Sequence, residues 1–496
     1  MDRPETERST KRPGRAAMIP GVLLVLIAAL VAVPVMAIQI AALLGPVDSV
    51  KDFDDLSVPS EWADQALFHR PIIDTMHRQW PGIDIVEYDS ATAPGYHALM
   101  ATVLRVTAGP FDSDERANIA PVLVLNVAFG LALVGVVYIF ASRLAGPWPA
   151  FVLCLPVATS KYILGATAFL TTDNLAWLLV AIALGLAAFS RAKPVSLLGA
   201  GLVATLGVGV RQIMVWSAGP AVLAGVLESP LAKLAPKGLV DHPDRPTWRP
   251  LLFALIGFAC ALGLLGVFVL LWGGLVPQAS EFVRIHAAGP NLATPAFTLA
   301  LCGVCGFFYL PLVWDELKRF VLRPLTDAPA LLAMLLGLVC AIAVPTSATI
   351  DQARETQLWK SRAYGWLWEI VRRAPDIAER SVVITLAAPA GAFGLLLLWR
   401  ASKRAGRGNE ALILLVALLG FVSAQTMNTM AWQRYFEPIV LIVLAWLGAL
   451  VWRGVSDEPR GLDLRVRAAG PIVLGVVLFA LSVLLLVIPM IRHASG

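Results

Sequence analysis

The sequence predicts an all-α protein that crosses a membrane many times, and three observations carry that prediction. Apolar residues make up 58% of the 496-residue chain against 15% charged, with a mean hydropathy of +0.75, a balance that soluble globular domains do not reach. The apolar residues recur in runs of about 17 to 25, the length a helix needs to cross a hydrocarbon core of about 30 Å. The Lys and Arg residues fall between these runs, in loops whose basic content rises and falls alternately along the chain.

About thirteen runs stand out: 18–44, 119–141, 148–167, 172–189, 195–210, 213–227, 251–276, 296–314, 328–346, 382–399, 410–428, 436–452 and 468–491. They form a single transmembrane domain over 18–491 behind a basic tail, 1–17. The first is longer than a signal-peptide core and lacks a cleavage site, so it is expected to persist as an anchor. The fifth and sixth are short for a full crossing. All five cysteines, Cys154, Cys260, Cys302, Cys305 and Cys340, lie within apolar runs, where a small side chain packs well and no disulfide framework is implied. Cys302 and Cys305 form a C-x-x-C inside a hydrophobic helix, which reads as packing. The net charge of +5 is spread between runs rather than gathered on one domain, which excludes a nucleic-acid-binding patch.

Short loops rich in Lys and Arg stay on the cytoplasmic side. Arg3, Arg8, Lys11, Arg12 and Arg15 put the N-terminus inside, and alternation then places 23 of the 39 basic residues on that side, although its loops are the shorter ones. The opposite side receives two long loops, 45–118 and 347–381, and short corners around Thr171-Thr172-Asp173, Arg211-Gln212, His286 and Arg434-Tyr435-Phe436-Glu437. Every chemically suggestive stretch thus falls on one expected extracytoplasmic face.

In "SEWADQALFHRPIIDTMHRQW", 60–80, the residues Trp62, Ala66, Ile73, Met76 and Trp80 recur at near-helical spacing, as in an amphipathic helix on the membrane surface, bent or restarted near Pro71. Asp64 and His69 would project from it. By itself Asp64 reads equally as a solvated acid or a helix cap, and His69 as a surface histidine. The stretch "VEYDSATAPGYHAL", 86–99, indicates an ordered turn at Pro94-Gly95 before a short helix. Asp173 stands near lipid depth, where an ionisable group needs a partner or a wet cavity, or it caps a helix together with Thr172. Arg211, between two very apolar runs, either snorkels or holds an anion, for which a planar guanidinium suits a phosphate. Arg434 and Glu437 open a helix and could form a local ion pair. The loop 351–375 mixes Trp359, Trp366 and Trp368 with Arg354, Lys360, Arg362, Arg372 and Arg373, the composition of an interfacial platform for anionic lipid.

Together these stretches resemble the GT-C superfamily of membrane glycosyltransferases, and within it the alpha-1,2-glucosyltransferase family that uses dolichyl-phosphate-glucose, in a bacterial-type form. The family's Asp-Glu-x-Phe-His element is matched by "DQALFH" at 64–69, with Gln65 in place of the glutamate. Its Trp-Asp stretch ending in Thr-x-Pro-Gly-Leu-Tyr is matched by Tyr88-Asp89 and Thr92-Ala93-Pro94-Gly95-Tyr96. Its Tyr-Thr-Asp element is similar to Thr171-Thr172-Asp173, its Arg-Gln-Thr-Asn-Ile-x-Trp element to "RQIMVW" at 211–216, and its Arg-Tyr-Phe element to 434–436. Order and spacing agree over 64–216 and more loosely near 434.

The resemblance implies a hexosyltransferase in a bacterial plasma membrane rather than the endoplasmic reticulum, with its active site in the first extracytoplasmic loop. Its donor would be a polyprenyl-phosphate hexose, glucose in the family it resembles, and its acceptor an extracytoplasmic glycan or lipid-linked saccharide. It implies Asp64 as general base of an inverting transfer. Arg211, Gln212, His69 and Arg434 would sit at the donor phosphate, and Tyr88, Asp89, Asp173 and Glu437 at sugar or acceptor. No ligand spacing demands a metal, and no cofactor is expected. Two other classes fit a many-spanning chain. A transporter or flippase of lipid-linked sugars would show paired halves and charges at mid-membrane, and no internal repeat is evident. A non-catalytic scaffold would not need the ordered motifs.

Overall fold

The computed structural model describes residues 18–43, 59–86, 89–109, 118–236, 238–243, 245–277, 289–346, 365–456 and 464–495. The tail 1–17, Tyr88, His286 and most of the 351–375 platform, including Trp359 and Arg362, lie outside them.

Each of the thirteen apolar runs is helical. In chain order the helices are α1 Ile19–Leu43, α2 Ser60–Asp64, α3 Arg70–Gln79, α4 Gly95–Ala108, α5 Ala120–Ala145, α6 Pro147–Thr159, α7 Lys161–Ala168, α8 Asp173–Phe189, α9 Pro194–Val210 and α10 Gly219–Leu227. They continue with α11 Arg249–Trp272, α12 Thr294–Phe307, α13 Trp314–Leu322, α14 Ala328–Ala343, α15 Trp366–Arg373, α16 Val382–Arg404, α17 Gly408–Thr426, α18 Gln433–Ser456, α19 Leu464–Ser482 and α20 Ile488–Ser495. Seven runs form single helices long and apolar enough to cross a bilayer. Two more are pairs bent at a break, by 64° between α6 and α7 and by 78° after α12. The remaining four, 173–189, 194–210, 212–227 and 328–343, are shorter apolar helices. The chain is an all-α, multi-pass integral membrane protein. Among the described residues one small hairpin departs from the all-α pattern: Asp376–Ile377 pairs with Arg380–Ser381, and Ala378 and Glu379 both adopt positive φ, the two-residue turn that matches strand twist.

The bundle is built around α18. An 18-residue window of it is entirely buried, whereas the corresponding window of the outer span Arg249–Trp272 is only 22% buried. The difference reads directly as centre against lipid-facing rim. α18 packs on α5, α6, α12, α16 and α17, and Trp446 anchors it by donating to the Val137 carbonyl at 3.0 Å while meeting Phe140 and Phe189 edge-on. At the rim, α9 and α11 cross where Gly201 meets Gly257, the small-residue contact that lets helices approach without a hydrophobic drive.

Residues 60–79 pack against the bundle rather than lying loosely on a lipid surface. Trp62, Ile73 and Met76 are buried, and so are Asp64, Gln65 and His69, which corrects the expectation of a membrane-surface helix. The expected bend near Pro71 takes the form of a π turn, Gln65–His69, between α2 and α3. Pro71 lies in the first turn of α3 and has no N–H to continue the tighter ladder, so the backbone widens just before it.

Candidate functional site

The five motif segments, far apart in the chain, meet at one end of the bundle. The starts of α8 and α18 and the ends of α9, α11 and α17 surround a cavity of about 330 Å³, over which the 60–69 and 89–92 segments are laid. Three local features hold this geometry. Gly95 lies against α9, where an added Cβ would stand 2.5 Å from the Gly209 carbonyl oxygen, so loop one sits directly beside the Arg211 corner. Asn126, from α5, donates to the carbonyls of Ala166, Thr167 and Phe169 at 2.8–3.0 Å and accepts from the Tyr96 hydroxyl at 3.0 Å. It thereby satisfies the open end of α7, one turn before Asp173. Gln65 donates to Gln39 at 3.1 Å and accepts from the Leu170 amide at 2.7 Å, tying the π turn to the same break.

The polar end of the cavity is made of two carboxylate–guanidinium pairs and one tyrosine. Arg434 Nη1 donates to Asp64 Oδ2 at 2.6 Å, and Nη2 donates to the Tyr435 hydroxyl at 2.9 Å. Arg211 donates to Asp173. Both guanidinium groups lie over the Tyr435 ring, at 4.6 Å for Arg211 and 5.0 Å for Arg434, and Arg434 also covers Trp432 at 4.6 Å. Cation–π contact places the two positive groups on one aromatic plane, an arrangement that mutual repulsion would otherwise oppose. Neither arginine Nε finds an acceptor among the described residues, so each guanidinium uses only part of its five-donor fork.

His69 Nε2 lies 3.8 Å from Asp64 Oδ2, and its Nδ1 shares a 2.9 Å hydrogen bond with Nε2 of the buried His97. Burial, reinforced by His69 and opposed by Asp64, holds the His97 imidazole well below its ordinary value, so His97 is neutral. Burial alone would push Asp64 up. Arg434, and after it His69, outweigh that and keep the carboxyl below the usual carboxylate range. In this state the Asp64 carboxylate is ionised, dehydrated and held by a cation.

Of the nine residues singled out in the sequence, Asp64, His69, Asp89, Asp173, Arg211, Gln212 and Arg434 line this cavity. Tyr88 lies outside the described residues. Glu437 does not line the cavity, which corrects its grouping with the sugar- or acceptor-facing residues. Its carboxylate is fully buried and receives Ser160 Oγ at 2.6 Å, Gln433 Nε2 at 2.7 Å and Trp366 Nε1 at 2.8 Å. Gln212 lines the wall, yet its amide nitrogen is spent on the Ala91 and Leu275 carbonyls, both at 2.8 Å; it staples loop one to the end of α11. Asp89 is exposed at the mouth. Sequence reasoning missed Tyr435 as the shared platform, His97 as the second imidazole, and Lys161, paired with Glu61 at 2.7 Å. A lone lysine inside a run otherwise free of charge was the available signal.

Most of the remaining lining is apolar, with Phe68, Ile72, Ile213, Val215, Leu265 and Val276 among it, and Ser90, Thr92, Thr172 and Asn428 add uncharged polar groups. The cavity can therefore take an amphiphile whose charged head meets two guanidinium groups and whose body meets hydrocarbon. Among the described residues no three His, Cys, Asp or Glu side chains come together as a metal site.

No protein-family model and no curated protein matches the sequence. Among solved structures, the chain is similar to the oligosaccharyltransferase of Archaeoglobus fulgidus tethered with an acceptor peptide containing the NVT sequon, at 14% identity and a TM-score of 0.48, over 97% of this chain and 55% of that one. It is similar to the same archaeal protein, AglB, in complex with an inhibitory peptide and a dolichol-phosphate, at 14% identity and a TM-score of 0.46, over 97% and 56%. ArnT from Cupriavidus metallidurans in the apo state aligns at 12% identity and a TM-score of 0.30, over 82% and 79%. The chain spans about half the length of the archaeal chains it matches. At such scores the likeness bears on neither donor nor acceptor.

Proposed function

We propose that the protein is an integral-membrane glycosyltransferase that moves a hexose from a polyprenyl-phosphate donor to a glycan or lipid-linked acceptor on the extracytoplasmic face. The observation that carries this reading is the pairing of a buried carboxylate with two guanidinium groups at the polar end of a largely apolar cavity. The ordered motifs of loop one and the 211 and 434 corners support the same reading.

The donor's phosphate monoanion would be drawn to Arg211 and Arg434 and its isoprenoid chain to the apolar wall. Phosphate and Asp64 then compete for one guanidinium. As Arg434 turns to the phosphate, Asp64 loses the cation that masks it while remaining buried, and its basicity rises. It takes the proton of the acceptor hydroxyl as that oxygen attacks the anomeric carbon, with inversion. The bond to the phosphate oxygen breaks, and the two arginines stabilise the charge left on the lipid phosphate. His69, beside Asp64 and backed by neutral His97, holds the carboxylate in line.

The test is transfer of labelled hexose from polyprenyl phosphate by purified full-length protein, with Asp64→Asn as comparison. Loss of transfer with retained folding supports the assignment; wild-type turnover by that variant removes Asp64 as base. Movement of a labelled lipid-linked sugar across the bilayer without covalent transfer would favour a flippase instead.

A further inference from the structure

Behind the cavity, one helical turn deeper, lies a second charged cluster that the reaction as described does not use. Glu61 precedes Asp64 by three residues in α2, and Glu437 follows Arg434 by three in α18, so each lies on the same helix face as its partner. The two helices are therefore bridged twice. The front bridge is Asp64–Arg434. The rear bridge is made by two adjacent residues at the break between α6 and α7: Lys161 donates to Glu61 Oε1 at 2.7 Å, and Ser160 donates to Glu437 Oε1 at 2.6 Å. All four side chains are buried. Gly165 leaves room for the glutamate, since a Cβ there would stand 3.1 Å from the Glu61 carboxyl carbon.

We infer that Lys161 is a positioning residue: with Ser160 it grips the two helices that carry Asp64 and Arg434 and fixes their mutual rotation, so that the base faces the guanidinium it must exchange with the donor. This rests on the transferase reading for its catalytic consequence, though not for its geometry. A buried ion pair seldom stabilises a fold more than an apolar pair of equal volume would. What Lys161–Glu61 supplies and a leucine pair would not is a directional constraint on α2, a helix of one turn that leads into a π turn and cannot define its own rotation. Lys161 touches no reacting atom; it acts through Glu61.

The experiment compares wild type, Lys161→Met and Lys161→Arg in full-length protein in nanodiscs, by steady-state transfer and by amide hydrogen exchange. Lys161→Met should lower kcat by about ten- to a hundred-fold, the range for loss of a group that orients a catalytic residue, with KM for the donor within about threefold because both arginines remain. Exchange should accelerate over 60–69 and 433–438 and stay unchanged over 173–189. Lys161→Arg, which keeps the charge, should recover much of both. Wild-type kcat with unchanged exchange over 60–69 in Lys161→Met would overturn the assignment, as would faster exchange spread evenly through the bundle. If wild type itself transfers no sugar, the transferase reading falls while the exchange data still decide whether Lys161 orders α2.

Discussion

Two ion pairs in this protein close at nearly the same distance in different surroundings. Asp327–Arg400 is bidentate, at 2.5 and 2.7 Å, and Asp64–Arg434 closes at 2.6 Å. Asp327 also caps α14 by accepting from the Ala330 amide at 3.1 Å, so both of its oxygens are engaged locally and both side chains remain about one-fifth exposed. Asp64 and Arg434 are half as exposed, face an apolar cavity, and share it with a second arginine on the same tyrosine ring. An ion pair becomes a candidate active site through what lies beside it: a dehydrated space, a second cation, and donors left over for a ligand. The first pair closes a loop, and the second is able to open.

The largest effect expected from this contrast is on turnover. Asp64→Asn should reduce transfer by about a hundred- to ten-thousand-fold, the usual span for a general base, while Asp327→Asn leaves kcat/KM within about twofold. Equal losses in the two variants, measured on folded protein, would erase the distinction. Next comes the phosphate. Arg211→Gln should cost about a hundred- to a thousand-fold in kcat if it stabilises the departing anion, and it should weaken binding of polyprenyl phosphate in a direct assay. Arg400→Gln should change neither.

A finer test concerns pH. In the free protein Arg434 keeps Asp64 below the usual carboxylate range, so kcat/KM, which reports the free protein, should hold its plateau to low pH. With donor bound, Arg434 is shared with phosphate and burial pushes the carboxyl up, so the acid limb of kcat should lie at higher pH than that of kcat/KM. Coincident limbs, or the reverse order, would count against exchange of Arg434 between Asp64 and donor. The smallest effect is structural. Asp327→Ala removes a helix cap and should cost about 1 kcal/mol, seen as a modest fall in Tm without change in the pH profiles.

Much of the architecture was legible because lipid is a simple solvent. A run of apolar residues must be helical there, and all thirteen runs are. What composition could not give was which runs bend: Pro156 and Ser160 break the third, and its two arms differ by 64°. The site was legible where polar residues stand at the ends of apolar runs, as Asp173, Arg211 and Arg434 do. It was illegible where function depends on long-range pairing. Glu437 and Arg434 lie on one helix face three residues apart, yet one turn of depth puts the first in a dry hub and the second at the cavity, and only the packing of α6, α15 and α18 decides which. Lys161 was hidden because its partner lies 100 residues away, and His97 because its neighbour across the cavity wall comes from the π turn.

That π turn has a consequence for the length of loop one. Between Asp64 and α3 the winding contains one more residue than an ordinary helix would hold, so the carboxylate is aimed by a surplus in the chain as much as by its side-chain partners. Were the segment to relax into regular winding with all its residues kept, residue 64 would swing by about 100° about the helix axis. A protein relaxed in this way would keep its acid, both arginines and its apolar wall and yet point the acid away from Arg434, whereas deleting Ala66 along with the surplus would leave residue 64 in place.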